Sequence, residues 1–248
     1  MTQASDPSRS ARLPSGRWGQ ALIRLFMKRA HVTAVESVAA GFQLIALESP
    51  AFKGCAWTPG QKVQIAMGSA FVARTFTPIE WDAGAGRTCI LGFAHGEGPA
   101  SAWLREVREG DSCDVFGPRT SLDLRAFSGP LVLFGDETSM GLACAIRRQR
   151  PDRLTHVLLE TSAVTDARKA LARLDLQQAE LFERTPDEAQ LQEIERRLAS
   201  FTDPETEFVL TGKASSIQGL RRAAKGLGIA GDRIATKAYW ASGKMGLD

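Results

Sequence analysis

The 248-residue chain has no run of about 18 apolar residues, so no segment is expected to cross a bilayer as a helix. Its polar N-terminus lacks the apolar core of a secretory signal peptide, and the protein is expected in the cytoplasm. Cysteine is sparse. Cys55, Cys89, Cys113 and Cys144 show no CxxC or other metal spacing, and in a cytosolic protein they are expected reduced and buried. Three histidines, His31, His95 and His156, are too few and too scattered for a metal centre. The net charge is only +3, with no basic stripe interleaved with aromatics, which argues against nucleic acid as a partner. What remains is an ordinary soluble composition, 44% hydrophobic and 24% charged. The length suits one large domain or two small ones.

The texture changes along the chain. Residues 1–16 are rich in Ser, Pro and Arg and read as a disordered tail. "RWGQALIRLFMKRA", 17–30, reads as an amphipathic helix with Leu22, Ile23, Leu25 and Phe26 on one side. From 30 to 125, six strand-like stretches are separated by glycine turns: "HVTAVESV", "FQLIALES", "QKVQIAM", "FVARTFTPIEW", "RTCILGFA" and "DSCDVFG". They predict a six-stranded antiparallel barrel, interrupted by one helix near Pro99. "LRAFSGP", 124–130, is the expected linker. From 130 to 248, "LVLFGD", "THVLLETS", "AELFER", "EFVLTGK" and "RIATKAYW" alternate with helical stretches, which predicts a parallel sheet of five strands in an α/β domain.

Two short stretches carry candidate chemistry. "AHGEGPASAW", 94–103, follows a strand and enters a helix. Gly96 and Gly98 admit a close ligand. Pro99 suits the first helical turn, where its missing N–H costs nothing. The unpaired N–H groups at that helix start suit a phosphate or pyrophosphate. It is no Rossmann fingerprint, because a barrel-like strand follows instead of a βαβ unit. From the residues alone, an anion cradle and a plain glycine turn remain equally open. "RTFTP", 74–78, offers Arg74 for a pyrophosphate, Phe76 as a ring against a flavin, and Thr77 as a hydroxyl for the flavin edge. The same stretch also reads as an ordinary amphipathic strand.

Together these stretches resemble the siderophore-interacting protein family of the ferredoxin–NADP reductase superfamily. "RTFT" resembles the family's R-x-Y-T motif, and "HGEGPASAW" its H-G-x-x-GPA-x-x-W loop with one residue fewer than some members have. "FGPR", "GDETS" at 135–139, "LLETS" and the terminal "KAYWASGKMGLD" follow in the family's order. The resemblance implies an FAD-binding barrel followed by a domain that receives NADPH or NADH. Carried over residue by residue, it implies cofactor contacts from Arg74, Thr75, Phe76 and Thr77. It implies the same for His95, Gly96, Gly98, Pro99, Ala100 and Ser101 in the loop, and for Asp136, Thr138, Tyr239 and Trp240 at the domain junction. Phe76 stands where the family has Tyr, so one hydroxyl bond to the flavin is missing. Pro78 removes a backbone donor beside it.

The implied reaction is reduction of a ferric siderophore, releasing Fe(II). A flavin converts hydride donation by nicotinamide into single-electron reduction of Fe(III). Lys213, Lys237 and Lys244 are the candidate cations for an anionic ferric complex. Arg168 and Lys169 are candidates for the 2′-phosphate of NADPH. A general NAD(P)H flavin oxidoreductase, a ferredoxin-coupled reductase and a non-enzymatic flavin-binding module are the competing readings. The expected partners are the ferric siderophore and NAD(P)H or ferredoxin, with no bound metal, and the protein is expected to be a monomer.

Overall fold

The computed structural model describes residues 26–67, 69–201 and 203–243. The tail, most of the amphipathic segment 17–30 and Lys244 lie outside the described residues. The end of that segment is not helical. β1 (Lys28–Ala39) begins there, with Ala30 and Val32 buried and His31 exposed, the alternation of a strand with one face inward.

β2 (Phe42–Glu48), β3 (Gln61–Met67), β4 (Ser69–Phe76), β5 (Pro78–Asp82), β6 (Arg87–Phe93) and β7 (Ser112–Thr120) join β1 in one antiparallel sheet. Its order is β4-β3-β7-β1-β2-β6-β5. Seven strands stand where six were expected, because "FVARTFTPIEW" divides at Thr77. Pro78 has no N–H to continue a ladder, and the chain passes from β3's partner to β6's partner at that point. The two edges of the sheet, β4 and β5, are thus one residue apart. The sheet curls into a barrel whose hydrogen-bonded ladder stays open along a seam at Thr77. Ile45, Leu47, Val63, Ile65, Ile90 and Val115 fill it. Helix α1 (Pro99–Glu106) lies across β3, β4 and β6 and adds Leu104 to that core.

The second sheet is parallel, in the order β10-β9-β8-β11-β12. It consists of β8 (Leu131–Gly135), β9 (Thr155–Thr161), β10 (Glu180–Glu183), β11 (Glu207–Lys213) and β12 (Ile234–Trp240). The five expected strands are all present. Helices α2 (Met140–Gln149), α3 (Val164–Arg173), α4 (Gln190–Leu198) and α5 (Ala214–Gly226) cover its faces. Central β8 is buried at every position, as a strand covered on both faces should be. The strand order reverses between β8 and β11, which opens a crevice at their carboxyl ends.

One apolar cluster crosses from sheet to sheet. Phe42, Leu44 and Ile79 of the barrel pack with Met140, Leu142 and Ile146 of α2 and with Leu131 and Leu133 of β8. Phe127, within the expected linker, is buried in the same cluster. Burial of each such large side chain stabilises by about 1.5–3 kcal/mol. Two ion pairs fasten the rim of this contact, Arg148 to Glu80 and a two-pronged Arg173 to Glu36 at 2.7 and 2.8 Å.

Candidate functional site

The loop after β6 is held from behind by its own helix. Ser101 Oγ donates to the His95 carbonyl at 2.7 Å, and Arg105 donates to the Gly96 carbonyl at 2.7 Å. Gly96 sits at φ +67, a left-handed conformation that glycine adopts without strain. A Cβ at Gly96 or Gly98 would meet nothing within 4 Å, so this side of the loop is open. Gly98 caps α1 with Pro99 in the first turn. Pro99 and Ala100 thus sit where expected. Ser101 is 3% exposed, and its hydroxyl is engaged with the loop backbone.

Arg74 and Phe76 share a face of β4, as strand alternation requires. That face is inward at Phe76, which pairs with buried Val63, belongs to the barrel core and tilts against Trp103 at 5.7 Å between ring centroids. The Phe76 ring therefore does not form an open shelf beside the loop. Arg74 is half-buried and donates to the neighbouring Ala73 carbonyl at 2.8 Å. Thr75 is exposed on the other face. Thr77, at the seam, shares a side-chain hydrogen bond with Tyr239 of β12, the only tyrosine in the chain. Burial pushes that phenol up to about 12, so it stays protonated.

At the crevice, Asp136 is fully buried. Its carboxylate accepts from the Thr138 N–H at 2.9 Å, from the Thr138 hydroxyl, and from Trp240 Nε1 at 2.7 Å. Burial is the main cause that lifts its pKa, to about 6. Gly212 makes room for this carboxylate, since a Cβ there would lie 2.4 Å from Asp136 Oδ2. Trp240 then reaches two further groups. Its ring lies 6.1 Å from that of His95, across the domain junction, and 5.9 Å from the Arg184 guanidinium. Arg184 pairs with Glu137 at 2.9 Å and approaches Glu160 at 3.9 Å. Glu137 also accepts from Ser162 N at 2.7 Å and from the Thr161 and Ser162 hydroxyls. These donors, with Arg184, hold Glu137 below the usual carboxylate range despite its burial.

The expected cations are spread out. Lys213 is mostly buried and paired with Glu188 at 2.5 Å, so its charge is already matched. Lys237 is half-buried on β12, two residues before Tyr239. Arg168 and Lys169 lie on the exposed face of α3, with Lys169 3.3 Å from Asp166. Sequence reasoning passed over Arg105, Arg119 and Arg184, although "FGPR" and "AELFER" each end on one of them. Arg119 donates to Gln64 at 2.6 Å and lies over the Phe116 ring at 4.4 Å. Burial leaves Cys89 and Cys113 with pKa values of about 12 and Cys144 about 11, so these thiols stay protonated.

An antiparallel barrel followed by a parallel α/β half, with His95 of the glycine loop beside Trp240 at their junction, is a fold shared with solved ferredoxin-reductase-like structures. Residues 61–122 match the family model described as a siderophore-interacting FAD-binding domain. FAD is accordingly the cofactor of the barrel half. The fold is shared with the siderophore-interacting protein SipS from Aeromonas hydrophila, at 22% identity and a TM-score of 0.72, covering 88% of this chain and 93% of that one. A siderophore utilization protein from T. fusca aligns at 20% identity and a TM-score of 0.70, over 90% and 95% of the two chains. Phthalate dioxygenase reductase, described as a modular structure for electron transfer from pyridine nucleotides to [2Fe-2S], aligns at 14% identity and a TM-score of 0.70, over 88% and 70%. No curated protein sequence matches the chain. No helix among the described residues is long and apolar enough to cross a membrane.

The loop fits an anionic cofactor. Its open side, its left-handed glycine and the unpaired N–H groups at the start of α1 form a concavity suited to a pyrophosphate.

Proposed function

We propose that this protein is an FAD-dependent oxidoreductase that takes electrons from NAD(P)H and reduces Fe(III) in an imported siderophore, releasing Fe(II). The observation that carries this reading is the junction at Trp240, where one side chain touches Asp136 at the crevice and stands beside His95 of the glycine loop. Such interdomain clefts are common ligand sites. When bound, FAD supplies the exchange between a two-electron donor and a one-electron acceptor.

This chain's residues have the following roles. The turn at Gly96–Gly98 and the start of α1, with Ala100, would cradle the pyrophosphate, and Arg74 would supply the paired positive charge. Thr77 offers its hydroxyl toward the flavin edge, and the protonated Tyr239 holds that hydroxyl in place. Asp136, which caps the turn by accepting from Thr138, anchors Trp240 at the crevice that would receive the nicotinamide. Lys237 provides cationic attraction for an anionic ferric complex, with Lys244 beyond the described residues. Lys213 contributes less, because Glu188 neutralises it.

Anaerobic assay of the FAD-loaded protein tests the reading. NADH or NADPH oxidation should depend on an added ferric siderophore and yield two Fe(II) per nucleotide. Equal rates with free flavin or ferredoxin and none with ferric siderophores would exclude siderophore reduction.

A further inference from the structure

Two side chains of α1 reach back to consecutive carbonyls of the turn before it. Ser101 holds the His95 carbonyl and Arg105 holds the Gly96 carbonyl, each at 2.7 Å. The C=O and N–H of a trans peptide point in opposite directions. Fixing the His95 carbonyl toward the helix therefore directs the Gly96 N–H away from it. Fixing the Gly96 carbonyl does the same for the Glu97 N–H. Neither N–H has a partner among the described residues. The space that a Cβ would fill at Gly96 and at Gly98 is open. Successive N–H groups arranged in this way form an anion-binding concavity.

Ser101 can do half of this work, because it is buried and set by the packing of α1. The Gly96–Glu97 peptide depends on Arg105. Gly96 is free to adopt either sign of φ, so nothing else in its own chemistry selects +67. We propose that Arg105 is a positioning residue for the FAD pyrophosphate: its bond to the Gly96 carbonyl sets the Gly96 and Glu97 N–H groups toward the anion before the cofactor arrives. The proposal rests on the FAD reading of this loop, which lies inside the matched segment 61–122. Arg105 acts through the backbone and touches no cofactor atom. Without it, only a fraction of apoprotein molecules present both donors, and the apparent affinity falls by that fraction.

The test compares the parent, Arg105→Ala and Arg105→Lys, each stripped of FAD. Arg105 is exposed, so the alanine variant is expected to fold, and its Tm checks this. In apo Arg105→Ala, the backbone order parameters at Gly96 and Glu97 should drop into the flexible range, below about 0.6. FAD should associate about threefold to tenfold more slowly with little change in dissociation, as expected when the competent fraction falls. Riboflavin, which lacks the pyrophosphate, should bind parent and variant alike. Arg105→Lys keeps a donor and should recover most of the loop order. A parent that binds no FAD overturns the FAD reading and this proposal together. A parent that binds FAD while Arg105→Ala keeps the parental order parameters and association rate overturns the proposal alone. A loss confined to dissociation and removed by high salt would make Arg105 a direct contact and also overturn it.

Discussion

Trp240 donates its indole N–H to the fully buried carboxylate of Asp136 at 2.7 Å, tying the end of β12 to the turn after β8. Asp136 titrates near 6 in the folded protein, because burial disfavours its charge. In the unfolded chain it titrates near its ordinary value of 3.8. Between those pH values the folded state holds a proton that the unfolded state has lost. The contribution of this group to stability therefore falls as pH rises through the window, and levels off above it. Asp136→Asn retains an acceptor for Trp240 and cannot titrate. Urea unfolding between pH 4 and 7 should show the parent losing stability relative to the variant across that range. Parallel curves would place the titration elsewhere.

Arg74 is the side chain whose removal should be felt by FAD and hardly by the fold. It is half-buried, and among the described residues its hydrogen bond goes to its neighbour's carbonyl. Loss of a charge-assisted contact costs about 1.5–3 kcal/mol, so Arg74→Ala should weaken FAD binding roughly tenfold to a hundredfold. Arg74→Lys should recover part of this, since lysine lacks the two-pronged fork. Equilibrium dialysis checks it. FAD retention equal to the parent's would remove Arg74 from the pyrophosphate site.

Phe76 should behave in the opposite way. It is 8% exposed and packs against Trp103 in the barrel. Phe76→Ala should destabilise the apoprotein itself, by about 3–5 kcal/mol as for other buried aromatics. Denaturant titration in the absence of FAD measures this directly. An apoprotein as stable as the parent would show the ring's importance to lie with the cofactor.

The Arg173–Glu36 pair joins α3 to β1, and both side chains are about half exposed. Hydrogen bonds from Arg173 hold Glu36 below the usual carboxylate range. Its stabilising contribution is therefore present above the unfolded pKa and lost as pH falls through the folded one. A double-mutant cycle with Arg173→Ala and Glu36→Ala should give a coupling of about 0.2–1 kcal/mol at pH 7. The coupling should shrink at 1 M salt and vanish at low pH. A coupling that persists under both conditions would mean that packing, not charge, joins the two residues.

The sequence made the alternation of strands and helices after residue 130 legible, because β8, β9 and β11 are apolar runs bounded by helical periodicity. "FVARTFTPIEW" read as one strand, because its apolar alternation runs straight through Pro78; the break into β4 and β5 follows from the partners that each half finds. The glycines of 96–98 were visible as a possible cradle. The tie from Arg105 was not, because a basic residue in the last turn of a helix looks the same whether it meets solvent or a carbonyl. Lys213 looked like a free cation for a similar reason: its partner Glu188 lies 25 positions away and meets it only once the sheet is built. The inward turn of Phe76 was also hidden, since alternation fixes which residues share a face and not which face is inside.

The apolar cluster that runs from Phe42 and Ile79 through α2 into β8 gives the two halves a common interior. Separating the glycine loop from the crevice would therefore expose apolar side chains that now pack against each other. The barrel and the α/β half each keep a cluster of their own beside the shared one. A cut in 124–130 would leave two fragments that stay together, each lacking part of the interior that the other supplies.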